Sequence, residues 1–432
     1  GPPHAAGRIQ HPPDLNLNGA PVAPMPENQP SSIAFAHQAI LDAKRAIVGY
    51  ELFDRSVSAT GHTAASDAQL LFNVLSGADA ESPIGKKDLF INCTHDSLSG
   101  GHLDLIAPQR VVLEIPPLAV SDVDQILTRL PSLQDITRRG FRLAFDYSVL
   151  TQPYAPWLEL ASFIKFDLTV MRLQSLGSFI KLAHAKTAAQ LIAEKVETPS
   201  QYEMVAGLGV KLFQGFWFAK PVLVQGQSVR PAQANILQLI NLVRKQASTA
   251  EIEEVLKRDP TLSFNLLRFI NSAGFGMRSE VTSFKHAVML LGLNRLFKWA
   301  ALLLTTSHAG DMPPAVGTTA VARGRLMELL ATELLPPEEC DNAFVVGVFS
   351  LLDTMLGLSM EVALATVSLP ESVTQALLHR TGPLAPFLEL TIACETGDDE
   401  VFGRTATLLG LNNGQVNWAH VQALAWAETM GV

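Results

Sequence analysis

The sequence predicts an α/β chain, with a TIM-like (β/α) barrel over residues 31–221 followed by an all-helical domain over residues 222–432. In the first half, short apolar runs alternate with helix-patterned stretches such as VSDVDQILTRL, which is typical of βα units with parallel strands. From about Val222 onward, apolar residues recur at spacings of three and four, which indicates amphipathic helices. A doubly wound open sheet is the alternative for the first half.

Seven runs rich in Val, Ile, Leu and Phe are the predicted strands of the barrel. They are GYELFDR, LFINC, VVLEIPP, RLAFDYS, FIKFDL, IAEKVET and KLFQGFWFAKP. Because the carboxyl ends of barrel strands gather on one face, we expect the polar residues at these ends to lie together. They are Glu51, Asn92, Glu114, Asp146, Lys165, Glu194, Glu197 and Gln214.

This polar set has the chemistry to hold a divalent cation and a phosphate, since carboxylate and amide oxygens are the ligands of hard cations. Lys165 lies in an apolar run, and burying its charge without an anionic partner would be costly. Singly, each strand-end acid is more simply interpreted as a helix cap or as the partner of a surface cation. The ordered set favours a site, and for Glu194 and Glu197 we expect a surface role for one of the two.

The order of these residues resembles the motif series of EAL domains, the bacterial phosphodiesterases that linearise cyclic di-GMP. The matching residues are Glu51-Leu52-Phe53 with Arg55, Asn92, Glu114, Asp146, Lys165-Phe166-Asp167, Glu194-Lys195-Val196-Glu197-Thr198 and Gln214-Gly215. Gln38, in FAHQAILD, is similar to the glutamine of the family's Gln-Pro-Ile motif.

The resemblance implies a role for each of these residues. Glu51, Asn92, Glu114 and Asp146 would bind Mg²⁺ or Mn²⁺. Lys165, Glu194 and Glu197 would act in catalysis, and Gln38, Leu52, Arg55 and Gln214 would contact the nucleotide, cyclic di-GMP. In such a site two cations clamp a phosphodiester and activate a water.

Three departures from the EAL pattern bear on activity. The family's second adjacent aspartate is replaced by Tyr147, a neutral side chain and a poor ligand for a second metal. The acid expected three residues after Glu114 is Pro117, and Phe53 enlarges the third position of its motif. We therefore predict one metal site at most and a non-catalytic regulator that acts as a nucleotide sensor or interaction platform. A weak metal-dependent phosphodiesterase is the alternative.

The helical half resembles HDOD domains, which are related to the HD phosphohydrolases, through LLRFINSAGFGMRSEVTSFKHAVMLLGLNRLFKWAALLL. The whole order is similar to the YuxH-like EAL-HDOD regulators. Where an HD hydrolase would need a His-Asp pair, the chain has Leu352-Asp353, and His286 and His308 stand alone. The resemblance implies a scaffold that carries output to signalling partners, and it is compatible with a homodimer.

Composition excludes some functions and leaves others open. The formal net charge of −9 argues against nonspecific nucleic-acid binding, and we interpret Arg295, Lys298, Arg323 and Arg325 as a solvated helix face rather than a basic patch. Cys93, Cys340 and Cys394 have no metal-site spacing and read as buried small residues. Residues 1–30 are rich in Pro, Gly and Asn and predict a disordered tail. No run predicts a membrane span, and we expect a cytoplasmic protein.

Overall fold

The computed structural model describes residues 34–54, 86–99, 101–120, 122–220, 229, 231–272, 280–306 and 312–430. Four predictions fall outside these residues. They are the tail over residues 1–30, the nucleotide contact by Arg55, the lone histidine His308 and the domain boundary between residues 221 and 222.

The first half forms a closed barrel of eight strands that are hydrogen-bonded in chain order. The strands are β1 (Phe35–Leu41), β2 (Ile47–Asp54), β3 (Asp88–Asn92), β4 (Val111–Ile115), β5 (Arg142–Asp146), β6 (Ala161–Asp167), β7 (Gln190–Glu194) and β8 (Leu212–Gln214). All seven predicted strands are confirmed as β2 to β8, and the closure of the sheet excludes a doubly wound open sheet. Strand β1, which the run analysis missed, pairs antiparallel with β2 and β8.

Short helices and loops connect the barrel strands on the outside. These helices are α1 (Val123–Arg138), α2 (Ala155–Leu158), α3 (Leu173–Lys186) and α4 (Pro199–Gly207). Helix α1 begins where the Asp122 carboxylate accepts the backbone N–H of Asp124, and α4 begins with a reciprocal capping box between Thr198 and Gln201. Each cap lies at the junction between a helix and the loop that follows β4 or β7. The caps therefore help to fix these loops at the carboxyl ends of the strands, which form the mouth of the barrel.

A ring of apolar side chains fills the interior of the barrel. Its members are Ile40, Phe90, Val112, Ala144, Phe163, Ile192 and Leu212, one from each strand except β2. Side chains along a strand alternate between its two faces, so the residue two positions further toward the mouth also points inward. This apolar ring is therefore the floor on which the next inward-facing side chains lie.

The second half is entirely helical over its described residues. Its helices are α5 (Pro231–Arg244), α6 (Thr249–Arg258), α7 (Pro260–Ser272), α8 (Phe284–Leu291), α9 (Leu293–Leu302), α10 (Pro314–Ala331), α11 (Pro337–Phe349), α12 (Leu352–Leu356), α13 (Met360–Ala365), α14 (Glu371–His379), α15 (Ala385–Thr396), α16 (Asp399–Leu409) and α17 (Asn413–Met430). Helices α10 and α11 pack extensively, and a Cβ built on Gly347 would lie only 2.5 Å from the Cα of Gly324.

The helical half packs directly against β1 and β2 of the barrel. The Phe35 backbone N–H donates to Oδ1 of Asn417 at 3.1 Å, and the Phe35 ring stacks on His420 with ring centroids 4.4 Å apart. Beside them, Nδ1 of His37 lies 2.6 Å from Nε2 of His420. Buried apolar residues of both halves belong to one continuous core. The outer face of β1 is thus covered by helices of the second half.

The predicted solvated helix face is wrong for two of its four cations. Lys298 is buried and its Nζ lies 2.6 Å from Oε2 of Glu328, while buried Arg323 donates to both carboxylate oxygens of Glu395. Helices in the middle of a bundle can hold charges where such partners compensate burial. The three cysteines are buried, as predicted, and form no disulfide. Within the described residues, no helix is long and apolar enough to cross a membrane.

Candidate functional site

Eight polar side chains, one from each barrel strand, form a second ring above the apolar floor. The cavity ring comprises Gln38, Glu51, Asn92, Glu114, Asp146, Lys165, Glu194 and Gln214. On most of the parallel strands, the member of this ring lies two residues after the floor residue, as Glu114 lies after Val112. On antiparallel β1 the order is reversed, and Gln38 lies two residues before Ile40. They line a cavity of about 630 Å³ at the carboxyl ends of the parallel strands.

Lys165 lies at the centre of the cavity ring and contacts three glutamates. Its Nζ is ion-paired with Glu51 and Glu114 and lies 2.9 Å from Oε1 of Glu194. Burial disfavours the charged lysine, but the three carboxylates outweigh burial and raise the pKa of Lys165 well above its ordinary value. The lysine therefore remains an ammonium ion, and the three glutamates are the anionic partners that its burial requires.

The pKa values of the three glutamates shift in different directions, because they share one lysine and differ in their other neighbours. Burial and the adjacent charge of Glu51 raise the pKa of Glu114 well above its ordinary value. Burial also raises the pKa of Glu194 despite Lys165. For Glu51, burial is outweighed by Lys165, and the pKa is lowered. The raised pKa values favour the protonated forms of Glu114 and Glu194, and a cation that reached these carboxyl groups would favour their ionised forms.

Two glutamines connect the cluster to β1. The Nε2 of Gln214 donates to Oε1 of Gln38 at 3.0 Å and to Oε2 of Glu51 at 3.2 Å. Gln214 is almost fully buried, so these bonds satisfy an amide that would otherwise be costly to bury. Gly215 follows it with a φ of +145°, and a Cβ there would lie 2.1 Å from the carbonyl oxygen of Val196. Only glycine fits this close approach of the chain after β7.

The residue after Asp146 turns away from the cavity. Asp146 lines the cavity and its Oδ1 accepts the backbone N–H of Ser148 at 2.8 Å, which starts a short 3₁₀ helix. The Tyr147 ring packs edge-on against Phe179 of α3, with ring centroids 5.3 Å apart. Pro117 and Phe53 line the cavity, so two of the three sequence departures lie at the site itself.

Two residues with predicted roles do not line the cavity. Leu52 is completely buried in the core outside the barrel, because its neighbour Glu51 takes the inward-facing position. The Glu197 carboxylate lies 3.7 Å from Nζ of Lys220, and its side chain is 44% exposed. Glu194 belongs to the cavity ring, whereas Glu197 has the surface position expected for one of the pair.

Sequence reasoning did not assign a role to two further residues that line the cavity, Asp167 and Lys195. Their side chains form an ion pair across β6 and β7, with Nζ of Lys195 2.8 Å from Oδ2 of Asp167. Asp167 lies two residues after Lys165 and is the last residue of β6, and Lys195 directly follows Glu194. Their closeness in sequence to these predicted site residues is the signal that could have identified them.

The donor chemistry of the cavity fits one divalent cation. Glu51, Asn92, Glu114 and Asp146 supply the carboxylate and amide oxygens that Mg²⁺ and Mn²⁺ prefer. Among the described residues, no three His, Cys, Asp or Glu side chains are grouped as metal ligands, and the ammonium of Lys165 lies between the glutamates instead. A cation would therefore have to displace this ammonium, and Tyr147 stands where the EAL resemblance leads us to expect a second carboxylate.

Comparisons with known proteins agree with this architecture. Residues 231–360 match the HDOD domain family. The chain is 27% identical over 401 residues to cyclic di-GMP phosphodiesterase CdgJ of Vibrio cholerae, covering 91% of this chain and 92% of that protein. It is 26% identical over 411 residues to the protein YuxH of Bacillus subtilis, covering 91% and 98% respectively.

Solved structures of lower similarity include a PaMucR phosphodiesterase bound to cyclic di-GMP, with a TM-score of 0.35, 19% identity, and coverage of 43% of this chain and 95% of that one. The BlrP1 complex of Klebsiella pneumoniae with calcium and cyclic di-GMP has a TM-score of 0.36 and 22% identity, and the alignment covers 45% of this chain and 57% of that one.

The fold and site define a two-part protein, in which a closed barrel with an acidic cavity precedes a helical HDOD domain. The HDOD match and the two relatives, each aligned over 91% of the chain, support the EAL-HDOD resemblance of the sequence.

Proposed function

We propose that this chain is a non-catalytic regulator of cyclic di-GMP signalling, in which the barrel cavity senses the nucleotide and the HDOD domain carries the output. The observation that carries this proposal is the position of Tyr147. Hydrolysis with two metals needs a carboxylate next to Asp146, and here a neutral aromatic ring packs on Phe179 instead. A catalytic role for Lys165, Glu194 and Glu197 is vestigial in this proposal.

The charge of the cavity makes nucleotide binding depend on a metal. The described lining residues include five acids and two lysines, and cyclic di-GMP carries two negative phosphodiesters. Because the acids outnumber the lysines, bringing that dianion into the partly buried cavity would be repulsive. A divalent cation bound by Glu51, Asn92, Glu114 and Asp146 would reverse this repulsion. We therefore expect cyclic di-GMP to bind only in the presence of Mg²⁺, Mn²⁺ or Ca²⁺.

The test is calorimetric titration of the full chain with cyclic di-GMP, with and without each cation, combined with chromatography of the nucleotide after incubation. We expect cation-dependent binding and negligible linear dinucleotide. Turnover at about 1 per second or faster, an ordinary rate for enzymes, would contradict the non-catalytic proposal. Failure to bind under every condition would leave the barrel as a protein-interaction platform without a nucleotide.

A weak metal-dependent cyclic di-GMP phosphodiesterase is the second candidate. Two observations favour it. All eight residues of the cavity ring line the same cavity, and the relative CdgJ is named as a cyclic di-GMP phosphodiesterase. The two candidates differ in one measurement, because slow turnover that needs Mn²⁺ and disappears in Glu114→Gln would support the enzyme. Binding without any such turnover supports the sensor.

The output role of the HDOD domain has its own test. Helices α7 and α8 pack against each other, and on them Phe264 is 67% exposed and Met289 is 80% exposed. Exposed apolar surface of this kind can mark a docking site. We expect a signalling protein to bind there and to be recovered by the full chain from native lysate. The double variant Phe264→Ser/Met289→Ser should recover it at least several-fold less.

A matched control for this test is Leu408→Ser, since Leu408 is 70% exposed but lies on α16, outside the HDOD match. Equal recovery by all three baits would show that the output does not pass through this surface. Sedimentation of the same preparations would test the homodimer, and fractionation of cells would test the cytoplasmic location.

A further inference from the structure

Lys195 has a backbone conformation that favours glycine. It directly follows β7 and has a φ of 59°. Its surroundings impose this conformation, because Glu194 before it points into the cavity and the N–H of Val196 after it donates to the carbonyl oxygen of Gln214 at 2.9 Å. The left-handed region is strained for a residue with a Cβ, and glycine would occupy it freely.

The contacts that Lys195 makes do not explain why a lysine occupies this strained position. Its side chain is 55% exposed, and exposed ion pairs such as the one with Asp167 contribute little to stability. The Asp167 carboxylate also accepts hydrogen bonds from the backbone N–H and the hydroxyl of Thr169, at 2.8 and 2.6 Å. Asp167 is therefore held without the lysine. A role in the cavity is the better explanation, since strained residues cluster where ligands bind.

Two lysines line the described part of the cavity and could bind an anion, but one of them already contacts three glutamates. Among the described lining residues the cations are Lys165 and Lys195. Lys165 is buried and contacts Glu51, Glu114 and Glu194, whereas Lys195 reaches the cavity from its rim with one carboxylate partner. A hydrogen bond to Asp167 raises the pKa of Lys195, so its ammonium is retained.

We propose that Lys195 is an anion-binding residue of the cavity, whose ammonium exchanges Asp167 for a phosphodiester oxygen of the bound nucleotide. This inference rests on the proposed function of the cavity as a cyclic di-GMP site. The exchange keeps the lysine paired in both states, so binding does not require the desolvation of an unpaired charge. Charge-assisted bonds to phosphate are among the stronger polar contacts in proteins.

The experiment compares four variants of the full chain by calorimetric titration with cyclic di-GMP in Ca²⁺, and by thermal unfolding without ligand. Lys195→Met and Lys195→Gly should each weaken nucleotide affinity about tenfold or more. Lys195→Arg should retain most of the affinity. Lys211→Met removes an exposed lysine at the start of β8, at the opposite end of the barrel, and should leave affinity unchanged.

Thermal unfolding separates binding from structure. We expect Lys195→Gly to unfold at the same temperature as the wild type or a higher one, because glycine relieves the backbone strain. Lower unfolding temperatures with unchanged affinity in the Met and Gly variants would overturn the proposal and make Lys195 a structural residue. Absence of nucleotide binding by the wild type would overturn both this inference and the sensor function, whereas wild-type binding with unaffected Lys195 variants would overturn this inference alone.

Discussion

At the scale of single residues, Lys165 determines the state of the cavity. A lysine buried to this degree needs anionic partners, and three strand-end glutamates supply them. The same contacts place an ammonium where a divalent cation would otherwise meet Glu51 and Glu114. A cation that bound to these carboxylates would therefore require Lys165 to move.

Tyr147 is the residue on which the catalytic question depends, and we predict that Tyr147→Asp alone gains less than about tenfold in hydrolysis of cyclic di-GMP with Mn²⁺. A catalytic carboxylate must be held in place by its surroundings. Here the position is directed toward Phe179, and Pro117 replaces the acid expected near the mouth. The measurement is the rate of formation of the linear dinucleotide.

A control for this prediction is the double variant Tyr147→Asp/Glu114→Gln, which removes a cavity carboxylate. Any gain that is due to a restored metal site should be lost in the double variant. A gain of a hundredfold or more from the single substitution would show that the supporting residues are intact, and that the chain is one substitution away from an enzyme.

At the scale of secondary structure elements, the sequence revealed the parallel strands and the inward-facing ring. Apolar runs identify β2 to β8, and the alternation of side chains places residues such as Glu114 and Gln214 on the inner face. Strand β1 was missed because FAHQAIL is buried on both faces and shows no alternation. Its outer face contacts the helical half, which is a long-range contact that no local pattern encodes.

The partners of the buried charges could not be predicted from the local sequence either. Lys298 on α9 and Arg323 on α10 were predicted to be solvated, yet each pairs with a carboxylate on another helix of the bundle. The same applies to Lys165, since its run of residues shows that it is buried without showing which acids it meets. Sequence spacing thus predicted seven strand-end residues that line the cavity, from Glu51 to Gln214, but also Glu197, which does not. The fold determined how they pair.

The packing of α10 against α11 gives a prediction for two glycines. Gly347→Ala should lower the free energy of unfolding by about 1–3 kcal/mol, because its Cβ would lie 2.5 Å from backbone atoms of Gly324 and the helices would have to separate. Gly403→Ala, in α16, meets nothing within 4 Å and should raise the free energy of unfolding by up to about 1 kcal/mol through helix propensity. Urea denaturation measures both. Equal effects of the two substitutions would contradict the close approach of α10 and α11.

At the scale of the whole molecule, the barrel and the helical half share an interface centred on β1, β2 and α17. The hydroxyl of Tyr50 donates to Oε1 of Glu428 at 3.1 Å, and Nζ of Lys87 lies 3.3 Å from Oε2 of the same carboxylate. The Phe35 contacts with Asn417 and His420 continue the interface. Gln38 on the inner face of β1 meets Gln214, so this strand contacts both the cavity and the helical half.

The interface predicts that Tyr50→Phe lowers the free energy of unfolding of the entire chain by about 1.5–3 kcal/mol at pH 8, the range for a hydrogen bond to a charged group. Unfolding should remain a single transition, because both halves share one core. Tyr202→Phe is the control, since its hydroxyl bonds to the carbonyl oxygen of Ala43 within the barrel and is more exposed. Chemical denaturation followed by circular dichroism measures the effect.

The pH dependence of this variant provides an independent check. Burial, reinforced by Glu428, raises the pKa of Tyr50 well above its ordinary value of 10.0. A group whose pKa is raised on folding contributes stability that is complete below its unfolded pKa and is lost as the pH rises toward the folded value. The wild type should therefore lose its advantage over Tyr50→Phe above about pH 10. A difference between the two proteins that stays constant to pH 11 would show that Tyr50 is not buried against Glu428 in the intact chain.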